Sequence, residues 1–159
     1  MDKPTLYIFL DVDGVLNNTS AFKLNKKTIY VLSHENLIAY QHLIDNLREK
    51  YELKIILSST WRMHKTGLNK LSKLSKKYDG LKFHDKTPNS HKRREDEIKS
   101  YCDIHKIDYN NILIIDDAQI NNELRERQLE TYFEDGLTWR DVQGCIWDMN
   151  MQYMKRSIT

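Results

Sequence analysis

A chain of 159 residues is long enough for one domain with a sizeable core and too short for two comfortable ones. No apolar run approaches a membrane span, and the first apolar segment starts so early that it leaves no room for a signal peptide, which together predict a cytoplasmic address. The net charge of +2 does not mark a nucleic-acid binder on bulk charge, so the placement of charge carries more information than its total.

Leu6 to Leu10 is short, continuously apolar and rich in β-formers, which predicts a strand covered on both faces in the middle of a parallel sheet. It runs into Asp11-Val12-Asp13-Gly14. With a period of two the carboxylates of Asp11 and Asp13 share one side, and Gly14 lets the chain turn sharply. Residues 15–33 show no clear helical period and read as a flap or short hairpin over the strand end. Ser33 then caps a helix from about His34 to Lys50, marked by Leu37, Tyr40, Ile44 and Leu47. Leu53 to Leu57 is a second apolar strand and ends in Ser58-Ser59-Thr60-Trp61-Arg62.

Leu68, Leu71, Leu74 and Tyr78 mark a further helix with a lysine-rich outer face, and Gly80 ends it. Leu81 to Phe83 reads as a third strand, followed by a loop through Thr87-Pro88 to Lys92-Arg93-Arg94. Glu95, Asp96 and Glu97 suit the first turn of a helix with Ile98, Tyr101 and Cys102 inward. Ile112 to Ile115 is a fourth apolar strand ending abruptly at Asp116-Asp117. Asn121 is placed to cap a short helix to Gln128, Leu129 to Phe133 reads as a fifth strand, and Thr138 with Asp141 forms a capping box for a C-terminal helix. Cys102 and Cys145 fall in helical patterns without metal-ligand or redox spacing, as reduced core thiols do. Strands separated by helices predict a three-layer α/β sandwich around a parallel sheet, one domain over residues 1–159.

Three of these strands end in polar chemistry, and a parallel sheet brings such ends to one edge, where ligands bind. Four carboxylates in one crevice, from Asp11, Asp13, Asp116 and Asp117, repel one another unless a cation neutralises them. A hard divalent ion with oxygen ligands does this, and Mg²⁺ fits best. Ser58 follows the last apolar residue of its strand and offers a hydroxyl and neighbouring N–H groups, with Ser59 beside it, to a phosphoryl oxygen. Lys92, Arg93 and Arg94 precede a helix start, where cations oppose the helix dipole, and an anion between them and the helix would resolve the conflict.

The order Asp-x-Asp-Gly-Val, strand into Ser58, Lys92, strand into Asp116-Asp117 resembles the haloacid dehalogenase (HAD) superfamily of phosphotransferases over nearly the whole chain. Ser58-Ser-Thr-Trp61-Arg62, Thr87-Pro88, Arg94-Glu-Asp-Glu97-Ile98 and Gly136-Leu137-Thr138 are similar to a branch of small HAD domains, some of them associated with RNA-repair proteins; Glu95 stands where that branch favours Gly. The resemblance implies a HAD-like Rossmannoid fold and an aspartyl-phosphate mechanism with Asp11 as nucleophile and Asp13 as general acid and base. It implies Mg²⁺ held by Asp11, Asp116 and the Asp13 carbonyl with support from Asp117, and a phosphoryl group bound by Ser58 and Lys92. Which of Lys92, Arg93 and Arg94 fills the cationic position stays open.

Larger HAD enzymes insert a cap after the first motif or between the second and third. Here those intervals hold a flap and one helix, which predicts an open site suited to a phosphate on a macromolecule. Lys23, Lys26, Lys27, Arg62, His64, Lys65, His91, Arg93 and Arg94 would form a cationic rim for an RNA or DNA end, and Trp61 a platform for a base. The reading is a phosphomonoesterase of nucleic-acid ends or nucleotides. The alternatives are a catalytically silent binding module and a phosphatase of small metabolites or phosphoproteins.

Overall fold

The computed structural model describes residues 2–89 and 93–158, with side chains up to residue 151. Five strands, β1 (Thr5–Leu10), β2 (Glu52–Leu57), β3 (Asp85–Lys86), β4 (Ile112–Asp116) and β5 (Gln128–Glu130), form one sheet in the order β3-β2-β1-β4-β5. Every neighbouring pair is parallel. The α-helices are α1 (Thr19–Leu24), α2 (His34–Arg48), α3 (Lys65–Leu74) and α4 (Arg94–Ile104) between the strands and α5 (Trp139–Ile158) after the last of them. This is the expected three-layer α/β sandwich.

The strand period of two explains the layers. Leu6, Ile8 and Leu10 of β1, Ile55 and Leu57 of β2, and Leu113 and Ile115 of β4 face one core, shared with Leu37, Leu43 and Ile44 of α2 and Val142 and Met149 of α5. Phe9, Ile56, Ile112 and Ile114 face the opposite core, closed by Ile98, Tyr101 and Cys102 of α4. Cys102 and Cys145 lie in different cores, buried and unpaired with each other, so the sheet separates them. Ser33 caps α2 through its side chain on the Asn36 N–H. Thr138 and Asp141 bond each other's amides at 3.2 and 3.0 Å, the capping box expected at the start of α5.

Four local expectations are corrected. Leu81 is not in a strand: Asp79–Leu81 is a 3₁₀ turn pinned under α2, where the Tyr40 hydroxyl donates to the Gly80 carbonyl at 2.6 Å, and pairing with β2 begins only at Asp85. β5 ends at Glu130, because Tyr132 enters a tight turn that Gly136 closes by donating back to its carbonyl at 2.8 Å. In place of a helix from Asn121 there is one 3₁₀ turn, Arg125–Arg127, preceded by an Asn122 side chain accepting from Leu124. Residues 15–33 contain the short helix α1 and no hairpin, with Asn18 as its cap.

Candidate active site

Register alone assembles the site. Leu10 is paired with Leu57 on one side and Ile115 on the other, and Leu57 with Lys86. The next residue of each strand therefore falls in one row at the carboxyl edge, Thr87, Ser58, Asp11 and Asp116. Backbone bonds continue the ladder through it, from Thr87 N to Leu57 O at 3.0 Å, Ser58 N to Leu10 O at 2.8 Å and Asp11 N to Ile115 O at 3.0 Å. Four strands thus deliver two hydroxyls and two carboxylates side by side.

Asp11 and Asp116 are 4% and 1% exposed, and one carboxylate oxygen from each of Asp11, Asp116 and Asp117 lies within 4.8 Å of the others. Such crowding is costly for like charges in a low dielectric. Burial first and Asp116 second push the Asp11 carboxyl up to about 7. Burial, and then the contact with Asp11, push Asp117 up to about 7, and burial raises Asp116 as well. Among the described residues the cation that answers them is Arg94, whose guanidinium donates to Asp116 Oδ2 at 2.6 Å, stands 3.3 Å from Asp11 Oδ1 and also donates to the Ser58 carbonyl. Among the described residues one guanidinium stands against three carboxylates, so the fully ionised set carries an excess of two negative charges, the charge of one divalent cation. All the donors are hard oxygens, so a hard divalent cation fits them.

Gly14 holds the turn that brings Asp117 in. Its φ is +79°, and a Cβ there would lie 2.2 Å from Asp117 Oδ2, so glycine serves both the backbone conformation and the close approach of a carboxylate. Asp13 lies beyond the end of the strand, in the turn that follows it. The strand ends at Leu10 and the chain turns on Val12, whose carbonyl accepts from Val15 and Leu16. The Asp13 carboxylate consequently stands outside the three-carboxylate group, its Oδ1 accepting from Asn17 Nδ2 at 2.8 Å and from the Trp61 indole N–H at 3.0 Å.

Ser58 is fully buried, and its hydroxyl has no hydrogen-bond partner among the described residues; the hydroxyl of Thr87 is in the same condition. Buried hydroxyls are rarely left so, and two in one row beside the carboxylates fit oxygen atoms supplied by a ligand. The Ser59 hydroxyl accepts from Trp61 N at 3.2 Å and caps the 3₁₀ turn Thr60–Met63.

Two candidate substrate contacts are corrected by burial. Trp61 is 2% exposed and packs edge-on against Tyr30, leaving no face for a base; its polar edge serves Asp13. Arg62 is 5% exposed, donates to the Ser59 carbonyl at 2.6 Å and is ion-paired with buried Glu97, so it braces the loop after β2 to α4. Arg93 is exposed at the start of α4. The anion expected near that helix start is, for Arg94, provided by the protein's own Asp11 and Asp116. Lys92 and His91 lie outside the described residues. Lys23, Lys26, Lys27, His64 and Lys65 are exposed.

Sequence reasoning missed Asn17, Asn36 and Glu97. Asn17 is fully buried, and besides Asp13 its side chain accepts from Gly14 N and donates to Val31 O at 2.8 and 2.9 Å, tying both ends of residues 15–33 to the site turn. Asn36 reaches the carbonyls of Asp135 and Leu137 at 3.1 and 2.9 Å. A polar residue beside an apolar run gives no sign of such distant partners, whereas Glu97 was visible as a helix-start acid and only its buried partner was not.

A family model described as the HAD domain in Swiss Army Knife RNA repair proteins matches residues 7–142. No curated protein matches the chain.

Proposed function

Because the chain belongs to the family of HAD domains in Swiss Army Knife RNA repair proteins, we propose that it is a phosphomonoesterase acting on the phosphorylated end of a nucleic acid or on a nucleotide. The observation that carries this reading is the row of Ser58, Asp11 and Asp116 on adjacent parallel strands, with an unpartnered buried hydroxyl next to a carboxylate crowded by two others. Its family description supports nucleic acid as the substrate class.

The side chains of Asp11, Asp116 and Asp117, with the carbonyl of Asp13, would hold Mg²⁺, which when bound offsets the charge of both the acids and the phosphate. An Asp11 oxygen attacks phosphorus and the ester bond breaks as Asp13 gives its proton to the leaving alcohol. Asp13, now the base, takes a proton from water, the water oxygen bonds to phosphorus and the Asp11–phosphorus bond breaks, releasing inorganic phosphate. Ser58 and Ser59 donate to the transferring phosphoryl oxygens, and a cation from Lys92, Arg93 and Arg94 balances their charge. Arg94 is favoured because it already bridges Asp11 and Asp116. Trp61 and Asn17 act through Asp13, fixing which of its oxygens faces the leaving group.

The test is turnover of a generic aryl phosphate with Mg²⁺, then of 3′- and 5′-phosphorylated oligonucleotides, mononucleotides and phosphopeptides. Asp11→Asn is expected to lower kcat by about a thousandfold or more, since it removes the attacking group. Full activity in that variant overturns the assignment of the nucleophile. Mg²⁺ binding without turnover of any ester would identify a binding module instead.

A further inference from the structure

With Trp61 buried, a better exposed aromatic surface is found on the tight turn after β5. Tyr132 is 67% and Phe133 44% exposed, and Phe133 stacks on Phe22 of α1 with ring centroids 5.6 Å apart and planes 13° from parallel. The turn is fastened to the site. Thr131, adjacent to Tyr132, donates from its hydroxyl to the Gly14 carbonyl at 2.6 Å and from its amide to the Asp116 carbonyl at 3.1 Å. Leu137 donates to Val15 at 2.8 Å, and Asn36 joins both pieces, accepting from Asn18 at the cap of α1 and donating to the carbonyls of Asp135 and Leu137. A frame of hydrogen bonds therefore holds the turn against the site and the start of α1, whether or not the rings stack.

We propose that Tyr132 and Phe133, backed by Phe22, form a platform on which the base of the substrate's terminal nucleotide stacks. The inference rests on the phosphatase reading in one respect, which is that the leaving oxygen lies at Asp13. Asn17 links that carboxylate to the turn, because its side chain donates to Asp13 Oδ1 at 2.8 Å while its carbonyl lies 2.7 Å from where a Cβ on Gly136 would stand, so a group attached to the leaving oxygen emerges near residues 132–136. A flat apolar ring kept in water beside the leaving-group side gains by covering a base, and every base has a face that stacks. The charges around the rings distinguish base from backbone. Glu134 and Asp135 share the turn with Tyr132 and Phe133 and would repel a phosphate chain laid along it, whereas Lys23, Lys26 and Lys27 on the opposite piece are exposed and would attract one. The platform accordingly holds the base, and the chain continues past the lysines.

The experiment compares adenosine 5′- and 3′-monophosphates with ribose 5-phosphate, measuring kcat/KM on the native sequence with Mg²⁺ and calorimetric binding on Asp11→Asn. At least one nucleotide is expected to be favoured over ribose phosphate on the order of tenfold or more. In Tyr132→Ala and Phe133→Ala that ratio falls toward one. Circular dichroism and a thermal melt accompany both; Tyr132→Ala removes a ring that is mostly in water, so it keeps the test alive if Phe133→Ala loosens α1. A ratio near one in the native sequence overturns the platform, as does a ratio that both variants leave intact. Nucleotide-selective binding without turnover of any ester keeps the platform and defeats the phosphatase reading. Turnover of all three esters at equal efficiency does the reverse.

Discussion

Gly14 shows how little room the site leaves at single positions. Its positive φ acts together with the closeness of Asp117 Oδ2, 2.2 Å from where a Cβ would stand, so Gly14→Ala must either straighten the turn or push Asp117 away. A loss of roughly 1–3 kcal/mol is expected from the strain, read by urea titration, with a fall in Mg²⁺ affinity; unchanged stability and affinity would contradict the packing described. Arg94 permits a second comparison. If it is the cation that faces the phosphoryl group, Arg94→Ala lowers kcat by about a hundredfold, the usual effect of removing a charge-stabilising donor, while Lys92→Ala has the smaller effect. The opposite ranking would make Arg94 a brace between Asp11 and Asp116. Asp11, Ser58, Asp116 and Asp117 were legible because each stands at the end of an apolar run. The roles of Trp61 and Arg62 were not, since their burial depends on partners 48 and 35 residues away in sequence, Asp13 and Glu97.

The same distinction holds for elements. β1, β2 and β4 carry enough consecutive apolar residues to be read from the chain, whereas β3 has two residues and both are charged, so only pairing with β2 makes it a strand. Strand ends were harder than strand centres: Tyr132 and Phe133 have β-forming side chains, but Gly136 and the reach of Asn36 draw them into a turn. The loop after β2 and the start of α4 are joined by the buried Arg62–Glu97 pair, with side chains 4% and 8% exposed. Removing one member leaves the other charged and dry. Glu97→Ala should therefore cost about 3–5 kcal/mol, with Glu97→Gln costing less because it keeps an acceptor for the guanidinium. Thermal melts of the two variants check this, and equal, near-native melting temperatures would show that water reaches Arg62. A displaced Ser58 should also raise KM in Glu97→Ala, because the pair positions the loop in which Ser58 stands.

At the scale of the whole molecule the sheet gathers like charges that no isolated segment would tolerate, and folding must carry their repulsion. Asp11 and Asp117 are pushed from the usual 3.8 to about 7, mainly by burial. An acid whose pKa is higher folded than unfolded makes the native state bind more protons across the window between the two values. Stability then falls as pH rises through that window and stays low above it. Asp79 and Asp85 are shifted the other way, below the usual value despite some burial, chiefly by hydrogen bonds from Gln41 and Tyr101, so their contributions are already complete at the lower end of the window. Without divalent cations the melting temperature should therefore drop between about pH 5 and about pH 8, by an amount worth up to a few kcal/mol once the coupling of the acids and the partial exposure of Asp117 are discounted. Asp117→Asn should flatten the drop, because it removes one acid and relieves its neighbour. Mg²⁺ should restore stability most at the alkaline end, since it binds the deprotonated set and a ligand at a hundred times its Kd adds about 2.7 kcal/mol. Melts in chelator and in Mg²⁺ at four pH values measure all three effects. A metal-free profile that is level, or one that rises with pH, would mean that the carboxylates of strands β1 and β4 do not crowd one another in solution.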